Sequence, residues 1–455
     1  MAPTLWLLLA TATLLTAAPP SCGAGAGQCP SDTPCCSQYG QCGVGAFCLQ
    51  GCDPLASFSL QSCVPMPVCK SGSFALASLD RVASISDFLG DPTKADFVAQ
   101  GTPLSYQNGT LLTMPKNSVG TVLSWTRYMW YGKVSAAMRS SRGQGVVTSF
   151  MYRLSLSLLT SSTMSDVHDE VDWEFVGNDL QQAQSNFYWQ AVLNCTSLSV
   201  SHLTPDTNSG NHSISDSFAT THTYTIDWSP EVLKWDIDGQ TVRTLNKVDT
   251  YNATTGNFQY PQTPSRIQFS LWPGGLASNA PGTIKWAGGE IDWNSQDIQK
   301  YSYDFAFLES VNIECYGPPP GATVQGQTSY VWLDNKGLNT SIAIKDDKTI
   351  ISSLAATGTN LTAGGTAANS NIQTQTVQNV PGQGSVAGSS AQGSQGGTSS
   401  FSGSSSGSGS ASGSSSASGS TEAQNGFNQG KSLATRTVLH PGVLFFIASI
   451  TFILN

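Results

Sequence analysis

Residues 169–177 read Asp169-Glu170-Val171-Asp172-Trp173-Glu174-Phe175-Val176-Gly177. On an extended strand successive side chains point to opposite faces, so Glu170, Asp172 and Glu174 share one face while Val171, Trp173 and Phe175 share the other. Three carboxylates in a row repel one another, and a fold keeps such a row only for a reason. A rise of about 3.3 Å per residue puts the first and last Cα roughly 13 Å apart. Two glutamates leaning inward then approach the ~5 to 5.5 Å carboxyl separation at which one attacks an anomeric carbon and the other protonates the departing oxygen. Taken alone, the alternation leaves two other readings open: the solvated polar face of an edge strand, and an oxygen-lined calcium site. Nothing nearby resembles a calcium-ligand loop, and neither a metal nor a cofactor is expected.

The elements that must hold this strand lie between about Phe74 and Cys315, where aromatic-rich segments alternate with period two. Tyr131 to Met138, Thr223 to Trp228, Val232 to Ile237 and Arg266 to Trp272 are bounded by turn sequences such as Asp238-Gly239 and Pro273-Gly274-Gly275. This pattern predicts an all-β sandwich in one large domain. Beyond Pro320 aromatics thin out, and from about Thr357 the chain is Ser, Gly, Thr, Gln and Ala with hardly any charge. Such a segment buries too little surface to offset its ordering entropy, so residues 321–424 are expected to form a disordered stalk.

The ends and the composition place the chain outside the cell. Leu5 to Leu15 is an apolar run followed by small residues, which predicts a signal peptide over 1–21. Val438 to Leu454 is apolar and follows a polar spacer and small residues, as a glycosylphosphatidylinositol (GPI) anchor signal over 425–455 does, with Asn425 or Asn428 as attachment site. The protein is therefore expected at the plasma membrane and cell wall, touching the membrane only through its anchor. Charged residues make up 11% of the chain and the net charge is −9, which gives no electrostatic case for nucleic acid. Sequons at Asn108, Asn194, Asn211, Asn252, Asn339 and Asn360 suit an exported glycoprotein.

The strand resembles the E-[ILV]-D-x-E signature of glycoside hydrolase family 16, whose fold is a β-jelly roll with a carbohydrate cleft. The span from Cys22 to Pro320 resembles the fungal Crh-type chitin-glucan transglycosylases that carry an N-terminal chitin-binding module. The supporting stretches include Met114-Pro115-Lys116-Asn117-Ser118, Trp130-Tyr131-Gly132-Lys133, Asn186-Phe187-Tyr188-Trp189, Tyr260-Pro261-Gln262-Thr263-Pro264-Ser265, Trp272-Pro273-Gly274-Gly275 and Pro281-Gly282-Thr283 followed by Trp286-Ala287-Gly288-Gly289. The resemblance implies a concanavalin-like catalytic domain over 70–320, with Glu170 as nucleophile, Glu174 as general acid/base and Asp172 between them. Gln184, Asn186 and Tyr188, at period two on the following segment, would face the same cleft, and Trp272 and Thr283 match sugar-contacting positions. The chain departs from the family between Phe150 and Asp166. Met151 to Thr163 is extra, either a loop at the cleft rim or a retained intron.

Nine of the eleven cysteines fall between Cys22 and Cys69, which in an exported chain predicts a small disulfide-stapled module. Cys35-Cys36-Ser37-Gln38-Tyr39-Gly40-Gln41-Cys42-Gly43 closely resembles the core of hevein-type chitin-binding modules, here over 22–69. That resemblance implies bridges Cys22–Cys36, Cys29–Cys42 and Cys35–Cys48, and sugar contacts from Ser37, Tyr39 and Phe47. Gln41 replaces a second aromatic, which implies weak binding. Cys63 and Cys69 are expected to close a short loop. Cys52, Cys195 and Cys315 are left without assigned partners, and the odd count points to Cys195 as the extra thiol.

The expected activity is that of a wall transglycosylase, with chitin as donor and β-glucan as acceptor. A plain endo-hydrolase of chitin or β-glucan and a non-catalytic wall lectin are the competing readings. The module is expected to be separable, so that its removal lowers chitin retention and spares catalysis on soluble oligosaccharides.

Overall fold

Period-two alternation becomes two stacked eight-stranded sheets in the computed structural model, which describes residues 19–23, 26–151, 166–190 and 208–364. Residues 1–18 of the expected signal peptide, the stretch 152–165, Cys195, the Ser/Gly-rich segment beyond 364 and the anchor signal lie outside the described residues.

The back sheet runs Gln240–Asn246, Val232–Ile237, His222–Trp228, Gly132–Arg139, Tyr303–Cys315, Gly109–Pro115 and Leu104–Tyr106, with Gly72–Ala75 also paired to Tyr303–Cys315. The front sheet runs Ser209–Ser213, Gln182–Tyr188, Glu170–Val176, Val146–Met151, Ser265–Pro273, Thr121–Met129, Phe97–Gln100 and Val82–Ser84. This is the expected β-jelly-roll sandwich. The hairpin at Asp238-Gly239 illustrates how local chemistry sets register. Both residues have positive φ, 51° and 79°, and Ile237 pairs with Gln240, the two-residue turn whose twist matches that of its strands.

The core lies between the sheets. Trp173, Phe150 and Phe269 are directly opposite one another on adjacent strands and so share a face. Phe150 stacks on Phe269 at 4.9 Å, and Trp173 donates Nε1–H to Thr225 O of the back sheet at 3.2 Å. Trp125, Trp228, Trp235 and Tyr224 complete the same cluster. Burying each large side chain contributes about 1.5 to 3 kcal/mol. Because Trp173 faces inward, Glu170, Asp172 and Glu174 face away from the sandwich interior.

Three expectations are corrected. The bridges Cys22–Cys36, Cys29–Cys42 and Cys35–Cys48 are present, but Cys63 pairs with Cys52, and Cys69 pairs with Cys315 across 246 residues. The short loop from Cys63 to Cys69 is therefore not closed. Nearness in sequence was the only guide to that pairing, and it gave no view of the back-sheet strand that delivers Cys315.

Residues 321–364, expected to begin the stalk, fold onto the body. Ser329–Trp332 and Ile342–Lys345 pair antiparallel, flanked by Thr323–Val324 and by Met66–Pro67. Tyr330, Trp332, Ile342 and Ile351 are buried. The scarcity of aromatics after Pro320 hid these two short apolar alternations.

The module is not a separate unit either. Phe47, Leu49, Cys48 and Val64 share one apolar cluster with Phe88 and Val98 of the body and with Ile351 and Ala356 of the C-terminal segment. Gly45 N donates to Ala356 O at 2.8 Å, and Gly358 N to Ser62 O at 2.8 Å.

Candidate active site

Glu170, Asp172 and Glu174 sit on one central strand, flanked by Val146–Met151 and Gln182–Tyr188. They are 4%, 0% and 7% exposed, so this row is the floor of an enclosed face and not a solvated edge. Register brings the expected partners alongside: Gln184 lies opposite Glu174, Asn186 opposite Asp172 and Tyr188 opposite Glu170. Asn186 Nδ2 donates to Asp172 Oδ1 at 2.8 Å and to Glu174 Oε2 at 3.3 Å. One amide thus holds two carboxylates, supplying donors where the carboxylates would otherwise only repel.

Aromatics close the Gln184 side. Trp272 Nε1–H donates to Ser149 Oγ at 3.0 Å, and Ser149 is directly opposite Glu174. Trp286 stacks on Trp272 at 5.9 Å with 21° between planes, and its Nε1–H donates to Gln184 Oε1 at 2.9 Å. Thr283 lies half-buried on the same short helix, Pro281–Trp286. Reading the sequence missed Ser149 and Trp286 as site residues. Period two along Val146–Met151 would have flagged the serine, but the tryptophan reaches the site only through tertiary packing.

The strand entrance is pinned from two directions. Asp169 Oδ2 accepts from Gln262 N at 2.8 Å, Thr263 N at 2.9 Å and Thr263 Oγ1 at 2.6 Å, and Oδ1 accepts from Gln190 N at 3.2 Å. Burial still pushes its carboxyl up to about 6. His168 adopts φ of 80° and places Nε2 at 3.1 Å from Asp53 Oδ2 in the disulfide module. Asp166 is pushed up to about 7 by burial. It accepts from Tyr128 OH at 3.0 Å, and that hydroxyl accepts from Gly51 N at 2.7 Å.

The module's expected sugar contacts are placed differently from a free chitin-binding face. Phe47 is buried in the shared cluster, so neither side of its ring is open for stacking. Ser37 is buried, its Oγ accepting from Tyr39 N at 3.4 Å and Gln41 N at 3.3 Å. Tyr39 is half-buried at the junction, donating its hydroxyl to Gln100 Oε1, and burial pushes the phenol up to about 12.

Residues 92–288 match glycosyl hydrolases family 16. The chain is 49% identical over 340 residues to Crh-like protein 3 of Botryotinia fuckeliana, covering 75% of this chain and 72% of that protein. It is 48% identical over 365 residues to Crh-like protein 2 of Aspergillus fumigatus, covering 79% and 77%. To Congo red hypersensitive protein 2 of Saccharomyces cerevisiae it is 46% identical over 334 residues, covering 72% and 67%. A buried carboxylate row on a jelly-roll strand, within a chain this similar to those proteins, places the protein in the Crh-like group of glycosyl hydrolase family 16.

Proposed function

We propose that this enzyme is a cell-wall transglycosylase that cleaves chitin with retention of anomeric configuration and transfers it to β-glucan. The observation that carries the reading is the buried face of Glu170, Asp172 and Glu174, braced by Asn186 and bordered by the Trp272–Trp286 stack. The Glu170 carboxylate attacks the anomeric carbon as the bond to the leaving oxygen breaks, and Glu174 gives its proton to that oxygen. A glycosyl ester on Glu170 results. Glu174, now ionised, takes the proton of an incoming sugar hydroxyl, whose oxygen displaces Glu170 and restores the enzyme. Asp172, between the two, limits how much charge the three groups carry together.

Transfer prevails over hydrolysis when the acceptor is held so that its hydroxyl has a high effective concentration. Trp286, the partly buried member of the stack, suits that purpose, because an indole face packs against the CH face of a pyranose, while the buried Trp272 backs it. The protein acts at the cell surface and wall, exported by its leader and held by a GPI anchor. Incubating it with chitin oligosaccharides and a labelled β-glucan acceptor tests the reading. Label in mixed products is expected; new reducing ends alone, with acceptor abundant, would make it a hydrolase.

A further inference from the structure

Direct pairing across the front sheet draws a line from the carboxylates to the disulfide module. Glu174 is opposite Ser149, Ser149 opposite Ser270, Ser270 opposite Val122, and Val122 opposite Gln100. The adjacent line runs Asp172, Met151, Gln268, Ser124 and Val98. Directly paired residues point to the same face, so Gln100 and Gln268 lie on the face that bears the carboxylates. Four strand spacings separate Glu174 from Gln100, about 19 Å. A β-linked pyranose chain has nearly the same repeat, so a glycan crossing the strands advances about one sugar per strand.

At the far end the module meets this line. Tyr39 donates to Gln100, and Gln38 Oε1 accepts from Arg266 Nη2 and lies 3.5 Å from Gln268 Nε2. Between module and carboxylates Gln268 Oε1 and Ser270 Oγ are buried without a hydrogen-bond partner among the described residues, as is Arg266 Nε at the junction itself. Burying such a group costs folding free energy unless something supplies its partner. The floor at Ser270 is about as enclosed as at the carboxylates, at 1% exposure. Gln268 and Ser270 are uncharged, and the cation beside them, Arg266, is already bonded to Gln38; a neutral polyhydroxylated chain is a ligand that satisfies such donors and acceptors while stacking on a phenol ring.

We propose that Tyr39 and Gln38 of the module form, with Gln100, Gln268 and Ser270 of the front sheet, a distal subsite for the same glycan chain that reaches Glu174. The module then lengthens the cleft instead of tethering the enzyme to a separate chitin surface. This rests on the glycan-cleaving reading, but not on whether the cleaved chain goes to sugar or to water.

The test is calorimetric binding to the full chain carrying Glu170→Gln, using chitin and β-1,3-glucan oligosaccharides of about two to eight sugars. Affinity is expected to rise about tenfold or more as the chain lengthens past about four sugars. Tyr39→Ala and Ser270→Ala are each expected to remove most of that gain, collapsing the ratio of long-chain to short-chain affinity. Ser270→Ala removes an unpartnered buried hydroxyl, so its Tm should be unchanged or higher, which separates ligand loss from misfolding. An unchanged ratio in both variants overturns the subsite. No binding of either series at any length overturns the glycan reading itself.

Discussion

His168 Nε2 lies 3.1 Å from Asp53 Oδ2, joining the disulfide module to the residue two places ahead of Glu170. Asp53 is itself fixed, its Oδ1 accepting from Leu55 N at 2.8 Å and Ala56 N at 3.2 Å. The module therefore helps set where the strand bearing Glu170 begins, and cutting it away should remove part of that strand's support. His168→Ala should cost about 1 to 3 kcal/mol of stability and lower kcat. His168→Gly, which relaxes the left-handed backbone at this position, should cost less than alanine. Thermal unfolding beside steady-state kinetics checks both.

The Cys69–Cys315 bridge closes a loop of 246 residues between the end of the module and a back-sheet strand. Replacing both cysteines by alanine should destabilise the protein by about 3 to 5 kcal/mol, mainly by freeing the unfolded chain. Denaturant unfolding measures it; a loss under about 1 kcal/mol would mean that packing alone holds this junction.

Glu170→Gln removes the carboxylate proposed as nucleophile and should abolish transfer and hydrolysis together. Glu174→Gln removes the proposed proton donor and should cost roughly two to four orders of magnitude in rate. Full activity in either variant sinks the assignment of roles. Single-turnover assays on chitin oligosaccharides separate the two steps.

Asn186→Ala takes away a donor shared by Asp172 and Glu174. Hydrogen bonds to charged groups contribute about 1.5 to 3 kcal/mol, so kcat should fall about 10- to 100-fold. The fold should persist, read by an unchanged circular dichroism spectrum. Trp286→Ala, by contrast, removes a stacking face and the bond to Gln184, and should appear chiefly as a raised KM.

Burial raises Asp166 to about 7 and Asp169 to about 6, both above the usual carboxylate value. At pH values between the ordinary value and these, the unfolded chain has released protons that the folded chain still holds. Stability from these groups is thus fully present below about pH 4 and is lost as pH rises through about 6 to 7. The Tm should fall by several degrees from pH 4 to 7.5, less steeply in Asp166→Asn. A Tm that rises across this range would contradict the picture.

The shared face of Glu170, Asp172 and Glu174 was legible because its information is local. Alternation put Glu170, Asp172 and Glu174 on one face, and the same alternation placed Gln184, Asn186 and Tyr188 where register brings them alongside. The turn at Asp238-Gly239 was readable for the same reason; the three bridges of the hevein-like core came from the resemblance and not from spacing, since Cys52–Cys63, equally local at a separation of 11, was missed. Tertiary structure alone decided that Cys69 reaches Cys315, that Trp286 stacks on Trp272, that residues 321–364 belong to the body, and that Tyr39 meets Gln100. These contacts join segments whose own sequences do not name the partner. They form because two sheets and a module must bury their remaining apolar faces, and that requirement acts on the folded surface as a whole.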